Sequence, residues 1–147
     1  MAYLFIIDPI ESLNKTKDSS LLLIKECLRR NIEVHFSEIN QFSIDEGNVN
    51  IHSQKILSLE EGIKYQDTEL NLSSFFKKIF IRKDPPFDDD YLNLTYLLDH
   101  AVQEGTDVIN NPSSIRNHNE KLSILNFQEI IPPTIVTSNA NDVVNFL

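Results

Sequence analysis

The fold prediction starts from one stretch of the sequence, Ile79-Phe80-Ile81-Arg82-Lys83-Asp84-Pro85-Pro86-Phe87-Asp88-Asp89-Asp90. Its apolar beginning completes a predicted strand over residues 76–82. The two prolines then end the strand, because proline has no amide hydrogen to donate and restricts the residue before it. Asp88 is placed to cap a helix, and Asp89 and Asp90 fall in its first turn, where negative charge is favoured. A strand, a charged turn and a helix in this order indicate an α/β fold.

The segments on either side of this stretch continue the alternation of strands and helices. Further strands are predicted from short apolar or alternating runs at residues 2–7, 32–36, 41–45, 48–56, 107–110 and 134–137. Helices are predicted from caps and apolar stripes at residues 19–30, from 88 up to Gly105, for a brief piece ending at Arg116, from 119 and from 139. Residues 57–72 give mixed signals and are interpreted as a loop or edge region.

Two of these elements carry more detailed predictions. The strand at residues 32–36 alternates apolar and polar side chains, so we expect one of its faces to be exposed. In the helix that opens at Asn119-Glu120-Lys121, we expect Leu122, Leu125 and Phe127 to be buried. Glu46-Gly47 separates two strands and predicts a hairpin turn.

The fold class predicted from this order is an open, mostly parallel α/β sheet flanked by helices. Ligands in such folds bind beyond the carboxyl ends of the strands. This rule places Asp8, residues 18–20, residues 82–86 and residues 110–112 on one rim of the sheet.

Composition narrows the possible partners and compartments. The chain has 147 residues, the size of a single domain, and a formal net charge of −9. That charge disfavours nucleic acid and anionic membranes, which need clustered Lys and Arg. A single cysteine, Cys27, excludes an internal disulfide and favours the cytoplasm. We expect no signal peptide and no membrane span. We also expect no metal site, because the four histidines are not spaced from the cysteine as metal ligands are. Asp88 to Asp90 are better suited to capping a helix.

Several motifs resemble prokaryotic glutathione synthetase, and they occur in the family's order and spacing. They are Asp8-Pro9-Ile10, Lys17-Asp18-Ser19-Ser20, Arg82-Lys83-Asp84-Pro85-Pro86-Phe87-Asp88, and residues 111–121, Asn-Pro-Ser-Ser-Ile-Arg-Asn-His-Asn-Glu-Lys, followed by Pro133-Thr134-Ile135-Val136-Thr137. The Arg-Lys-Asp-Pro-Pro-Phe-Asp run is the most specific of them. The resemblance covers essentially the whole chain.

This resemblance implies an ATP-grasp ligase that joins γ-glutamylcysteine to glycine, using ATP and Mg²⁺ and passing through an acyl phosphate. It implies that residues 1–119 are a Rossmann-like, pre-ATP-grasp substrate domain and that residues 120–147 begin the ATP-grasp domain. It also implies a homo-oligomer. The last predicted helix stops at Leu147 without a cap. We therefore expect a fragment that contains no catalytic residue, binds no cofactor tightly and is inactive by itself.

The residues expected to bind substrate are Arg82, Lys83, Asp84, Ser19 and Asp8. The guanidinium of Arg82 suits a carboxylate of the dipeptide, or it forms a salt bridge with Asp84 or Asp88. Asp84 either holds Arg82 or binds the substrate amine.

The other candidates also have two interpretations each. Lys83 either contacts the dipeptide or is a solvated neighbour, Ser19 either presents its hydroxyl to an anion or caps the helix, and Asp8 either contacts substrate or forms a turn. By resemblance Lys121 reaches the ATP phosphates, and otherwise it is an exposed lysine.

Two alternative functions stay open at this point. One is another ATP-grasp ligase of the amino-acid or peptide type, against which the run at residues 82–88 argues. The other is a stand-alone α/β binding module left by a split gene.

Overall fold

The structure, a computed structural model, describes residues 1–119 and 121–147. The chain divides into two compact units, Met1–Arg116 and Asn117–Leu147. None of the helices in these described ranges is long and apolar enough to cross a membrane.

The first unit is an α/β domain. Its strands are β1 (Ala2–Ile6), β2 (Glu33–Ser37), β3 (Phe42–Asp45), β4 (Asn48–Ser58), β5 (Lys64–Tyr65), β6 (Glu69–Leu72), β7 (Phe76–Ile81) and β8 (Asp107–Ile109). Its helices are α1 (Ser19–Arg29), α2 (Asp89–Gln103) and α3 (Pro112–Asn117), with short 3₁₀ turns at Ile10–Ser12 and Ser73–Phe75.

The sheet runs in the order β3-β4-β2-β1-β7-β8, and β5 and β6 also pair with β4. The β1 strand is parallel to both β2 and β7, and β7 is parallel to β8. All pairs made by β4 are antiparallel. The predicted open, mostly parallel α/β fold is therefore confirmed for the part that carries the rim.

Helices cover both faces of this sheet because successive side chains of a strand point to opposite faces. Leu4 and Ile6 of β1 pack in one apolar cluster with α2. Phe5 of the same strand packs in the other cluster with Leu21 and Ile24 of α1. The single central strand thus anchors both halves of the core.

Most predicted elements of the first unit are confirmed. The hairpin turn at Glu46-Gly47 joins β3 to β4, and both turn residues have positive φ, 47° and 85°. Residues 57–72 contribute the end of β4 and the short strands β5 and β6 along its edges.

The prediction of an exposed face on the strand at residues 32–36 is wrong. Val34, His35, Phe36 and Ser37 are all buried. Because β2 lies between β1 and β4, its edges are paired, and Phe75 and Phe76 contact the ring of His35 on the face where solvent was expected.

In the second unit, two predictions fail. Residues 134–137 form no strand, and Leu122, Leu125 and Phe127 are 44%, 37% and 52% exposed. A strand needs a hydrogen-bonded neighbour and a unit this short cannot enclose a core.

The helix starts of this unit are partly confirmed. The helix predicted from residue 119 is a 3₁₀ helix, Leu122–Phe127, and just before it Asn119 Oδ1 accepts the amides of Lys121 and Leu122. Glu120 lies outside the described residues. The predicted last helix is present as α4 (Ala140–Phe146), and its cap is Asn139.

Candidate functional site

The rim predicted from the sequence exists where β1 and β7 end side by side. The backbone amide of Arg82 donates to the carbonyl of Ile6 at 2.8 Å, which extends the parallel pairing by one residue beyond β7. Because both strands stop at this level, the chain that follows β1 meets the chain that follows β7. This arrangement brings Asp8 against Lys83 and Asp84.

Arg82 is held by the two serines at the start of α1. Its Nη2 donates to Ser19 Oγ at 2.6 Å, and its Nε donates to Ser20 Oγ at 3.2 Å. Ser20 is buried, so one side of the guanidinium rests on a rigid support. The contact joins the first helix to the seventh strand across the rim.

The expected alternative partners of Arg82 do not hold it. Across residues 1–119 and 121–147, no carboxylate oxygen lies within 4.0 Å of its guanidinium, so neither Asp84 nor Asp88 forms the salt bridge. Serine hydroxyls accept hydrogen bonds without neutralising charge. Arg82 therefore presents an oriented and uncompensated positive charge, which is suited to a carboxylate.

Asp18 rather than Ser19 caps α1. One carboxylate oxygen of Asp18 accepts the amides of Ser20 at 2.7 Å and Leu21 at 3.0 Å. The capping role that the sequence left open for Ser19 thus belongs to Asp18. Because the cap is supplied elsewhere, the serine hydroxyls are available to Arg82.

Asp8 binds two groups of the loop that follows β7. Its Oδ1 lies 2.9 Å from Lys83 Nζ, and its Oδ2 accepts the backbone amide of Asp84 at 2.9 Å. The side chains of Lys83 and Asp8 are only 15% and 23% exposed. Lys83 is thus a paired, half-buried residue and not the solvated neighbour of one interpretation, and Asp8 secures the loop.

Asp84 is exposed and takes part through its backbone. Its amide bonds to Asp8, and its carbonyl accepts a hydrogen bond from Lys83 Nζ at 2.5 Å. The Asp84 carboxylate makes no salt bridge within the described residues. The role of holding Arg82 belongs to the serines, and Asp84 itself is exposed.

Tyr91 of α2 is a rim residue whose sequence position indicates only that it belongs to the apolar side of this helix. Its hydroxyl donates to the carbonyl of Lys83 at 3.4 Å, and its ring packs on Phe87 with centroids 5.0 Å apart. Burial raises the pKa of Tyr91, and the negative charges of Asp8 and Asp84 raise it further. No sequence motif indicated this role, and only the fold shows that its hydroxyl reaches the loop.

The third strand end adds Asn110 to the rim. Its side-chain amide donates to the carbonyl of Ile81 at 3.4 Å. The next residues begin α3, where the side chain of Asn111 accepts the amide of Ser114 at 3.0 Å. The end of β8 is therefore connected to the end of β7, as the strand-end rule predicted.

Lys121 belongs to the second unit, and its surroundings there are simple. Its backbone amide donates to Asn119 Oδ1 at 3.0 Å, and the residue is exposed. Its side chain has no salt bridge within the described residues.

The described residues do not provide a magnesium site. No group of three or more His, Cys, Asp or Glu side chains in the described ranges is arranged to hold a metal ion. Asp88, the first of three consecutive aspartates, accepts the amide of Tyr91 at 3.0 Å and caps α2. The acidic run is therefore explained by helix capping.

Comparison with known proteins relates this sequence to one family. The family model described as prokaryotic glutathione synthetase, N-terminal domain, matches residues 1–116. The glutathione synthetase of Vibrio parahaemolyticus is 37% identical over 145 residues, which are 96% of this chain and 46% of the relative. That of Vibrio vulnificus strain YJ016 is 38% identical over 145 residues, 96% of this chain and 45% of the relative.

A more distant organism gives the same result. The glutathione synthetase of Prochlorococcus marinus subsp. pastoris is 35% identical over 146 residues, 99% of this chain and 47% of the relative. The chain thus spans just under half the length of the curated relatives it matches. With the family model covering residues 1–116, the chain belongs to the prokaryotic glutathione synthetase family, and the matched part is that family's N-terminal domain.

Proposed function

We propose that this chain forms the dipeptide-binding wall of a glutathione synthetase, which ligates γ-glutamylcysteine to glycine and converts ATP to ADP through an acyl phosphate. The observation that carries the proposal is the oriented, uncompensated guanidinium of Arg82 at the strand-end rim of a domain of this family. A substrate with two carboxylates needs such a group, and the fold offers it where open α/β sheets bind ligands.

In this proposal the rim residues divide into contacts and supports. Arg82 binds a carboxylate of the dipeptide, and the carboxylate of the exposed Asp84 binds its ammonium group. Ser19 and Ser20 orient the guanidinium. Asp8 and Lys83 neutralise each other and fix the loop, so their effect on substrate is indirect.

ATP and Mg²⁺ are the cofactors that the proposal requires. ATP supplies the phosphoryl group that activates the carboxylate, and in this chain Lys121 is the residue proposed to meet its phosphates. The described residues contain no group of side chains arranged to bind Mg²⁺, so no metal-dependent step of the reaction is assigned to them. The domain assignment proposed is residues 1–119 for the substrate domain and 120–147 for the start of the ATP-grasp domain, which the compact unit ending at Arg116 supports.

We also propose a cytoplasmic setting and a homo-oligomeric assembly for the enzyme. The cysteine content supports the first, because secreted domains are often held by disulfides and a single thiol cannot form one within the chain. Size measurement of the purified protein tests the second, and a monomer at micromolar concentration contradicts it.

The reaction is tested with the full-length product of the gene that encodes this chain. ADP release is measured with ATP, Mg²⁺, γ-glutamylcysteine and glycine, and again with each amino-acid substrate left out. We expect ADP only when both are present, together with one glutathione for each ADP. If the complete mixture yields no ADP, or if other amino acids replace the dipeptide equally well, the proposed reaction is excluded.

The wall is tested in the same protein with Arg82→Ala and a matched control. Arg30→Ala removes an exposed guanidinium from the other end of α1, where it pairs with Glu26. We expect Arg82→Ala to raise the KM for γ-glutamylcysteine on the order of tenfold to a hundredfold, the usual effect of losing a charged hydrogen bond. The KM for ATP and the Arg30→Ala variant should stay near the unmodified values. An unchanged dipeptide KM removes Arg82 from the substrate site.

A further inference from the structure

A concave site lies beside the start of α1, and Ser19, which accepts a hydrogen bond from Arg82, stands at its border. The proposed reaction assigns no role to the other residues that line it. We call it the lysine cleft and define it by Lys15, Lys17, Lys25, Leu22, Leu59 and Ile63. Its volume is about 470 Å³, within the range of roughly 300–1,000 Å³ in which small-molecule sites fall. The turn before α1, the exposed side of α1 and the segment between β4 and β5 form its walls.

The three lysines of the cleft have no acidic partners. No salt bridge within residues 1–119 and 121–147 involves Lys15, Lys17 or Lys25. Lys77 and Lys121 also lack one in these ranges, whereas Lys55, Lys64, Lys78 and Lys83 each have one. In a chain with a formal net charge of −9, acidic partners are plentiful. Around this one concavity, three ammonium groups therefore have no described carboxylate oxygen within 4.0 Å.

The turn that carries two of these lysines is held in place. Asn14 Oδ1 accepts the amide of Thr16 at 3.1 Å and its hydroxyl at 2.9 Å, and the Asn14 carbonyl accepts the amide of Lys17 at 3.1 Å. Lys25 follows Leu22 by three residues on α1, which places both on the same exposed side of the helix. The cations thus come from two ordered elements.

Two acidic residues also line the cleft, and they do not cancel its charge. One carboxylate oxygen of Asp18 accepts hydrogen bonds from the amides of Ser20 and Leu21 near the start of α1. These two amides are therefore not available to a ligand. Glu60 is exposed on the opposite segment. Three ammonium groups against two carboxylates leave the lining positive.

The apolar lining narrows the class of ligand. Leu22 is 67% exposed, and Leu59 and Ile63 also line the cleft, so a bare inorganic ion would leave apolar surface uncovered. Lysine ammonium groups act as point charges that suit phosphate, whereas a planar carboxylate is better matched by arginine. We propose that the lysine cleft binds a small organic molecule that carries two or more phosphate groups.

The probe for the test is sodium tripolyphosphate, titrated calorimetrically into the full-length protein at low ionic strength. We expect saturable binding that weakens as salt rises, with hydrogen-exchange protection in residues 14–26 and 58–63. Lys15→Gln/Lys17→Gln/Lys25→Gln should weaken this binding by about tenfold or more. The fold of the variant is checked by circular dichroism, because all three lysines are exposed.

The control is Lys64→Gln/Lys77→Gln/Lys78→Gln, which removes the same number of charges from outside the cleft. This variant should keep the affinity. Equal weakening of both variants, absence of protection in the two segments, or equally tight binding of citrate overturns the proposal. Binding of tripolyphosphate at the proposed ATP site persists in both variants, and the cleft test needs no turnover. A result that excludes the proposed ligase reaction is therefore distinguishable from a result that excludes phosphate binding in the lysine cleft.

Discussion

Lys83 Nζ lies 2.9 Å from Asp8 Oδ1, and this ion pair joins the segments that follow two neighbouring parallel strands, β1 and β7. Both side chains are largely shielded from water, and Asp8 also accepts the amide of Asp84. The ligand-facing loop of this domain is therefore fastened to the end of the first strand, far away in sequence. Partial burial makes such a pair stronger than a surface pair.

The first prediction concerns that ion pair. In a double-mutant cycle with Asp8→Asn and Lys83→Met, we expect a coupling free energy of about 1 kcal/mol, since both charges are partly desolvated. The free energy of unfolding of each variant is measured in urea. The control cycle uses Glu61 and Lys64, whose side chains are 83% and 57% exposed, and should give a smaller coupling. Equal coupling in the two cycles contradicts the shielding of the rim pair.

The second prediction concerns the support of Arg82. Ser20→Ala removes the buried acceptor of Arg82 Nε and leaves Ser19 in place. Because the guanidinium then loses half of its anchoring, we expect the KM for γ-glutamylcysteine to rise severalfold while kcat changes little. Ser43→Ala, at an exposed position of β3, is the matched control. A fall in kcat at constant KM is the result that rules out an orienting role.

The third prediction concerns the buried histidine of β2. His35 is 1% exposed, contacts Ser53 Oγ at 3.1 Å and Glu33 Oε1 at 2.9 Å, and packs edge-on against two phenylalanine rings. We expect His35→Ala to lower the free energy of unfolding by about 2–4 kcal/mol, through a cavity and lost hydrogen bonds. His52→Ala, at an exposed position of β4, should change it by less than about 0.5 kcal/mol. Similar losses in the two variants would show that His35 is not a core residue.

The fourth prediction is a pH dependence. The pKa of Tyr91 is raised above its ordinary value of 10.0, chiefly by burial. The folded protein therefore keeps a proton that the unfolded chain releases, so the stabilisation is complete below pH 10 and is lost as the pH rises further. We expect the stability of the unmodified protein to fall relative to Tyr91→Phe as the pH rises above about 10. Urea unfolding at several pH values measures this difference, and a constant difference contradicts the shift.

The fifth prediction concerns the hairpin turn between β3 and β4. Glu46 has a φ of 47°, a left-handed conformation that costs free energy in most residues and is tolerated best by Gly and Asn. We expect Glu46→Asn to raise the free energy of unfolding by about 0.5–1 kcal/mol, measured as a higher urea midpoint with an unchanged slope. Glu60→Asn provides a control that removes an exposed acid of the same charge. Destabilisation by Glu46→Asn contradicts the assigned turn conformation.

Local features of the chain were predictable because their causes are local. Asp88 and Asn139 cap their helices as expected, and the helix ending at Gly105 and the hairpin at Glu46-Gly47 lie where the sequence placed them. Caps, turns and apolar periodicity depend on residues within a few positions of one another. The α/β class and the strand-end rim followed from the order of these elements.

The burial of individual side chains was less predictable, because it depends on which residues from distant parts of the chain pack against them. The alternation in β2 indicated an exposed face, yet the rings of Phe75 and Phe76 cover His35. Leu122 and Phe127 have an apolar pattern but little to pack against in their own short unit. An apolar residue favours burial and a polar residue favours exposure to water. The residues that pack around each side chain determine whether it is in fact buried.

The sequence by itself determined which residues gather at the rim, since Arg82, Asp8 and Ser19 each stand at a strand end or helix start. Only the tertiary structure decided how they pair. The closest acids in sequence do not bind Arg82, because β1 places Asp8 against Lys83 and α1 places its serines under the guanidinium. Partner choice is set by distance in space, and the strand order that fixes those distances is not written in any local pattern.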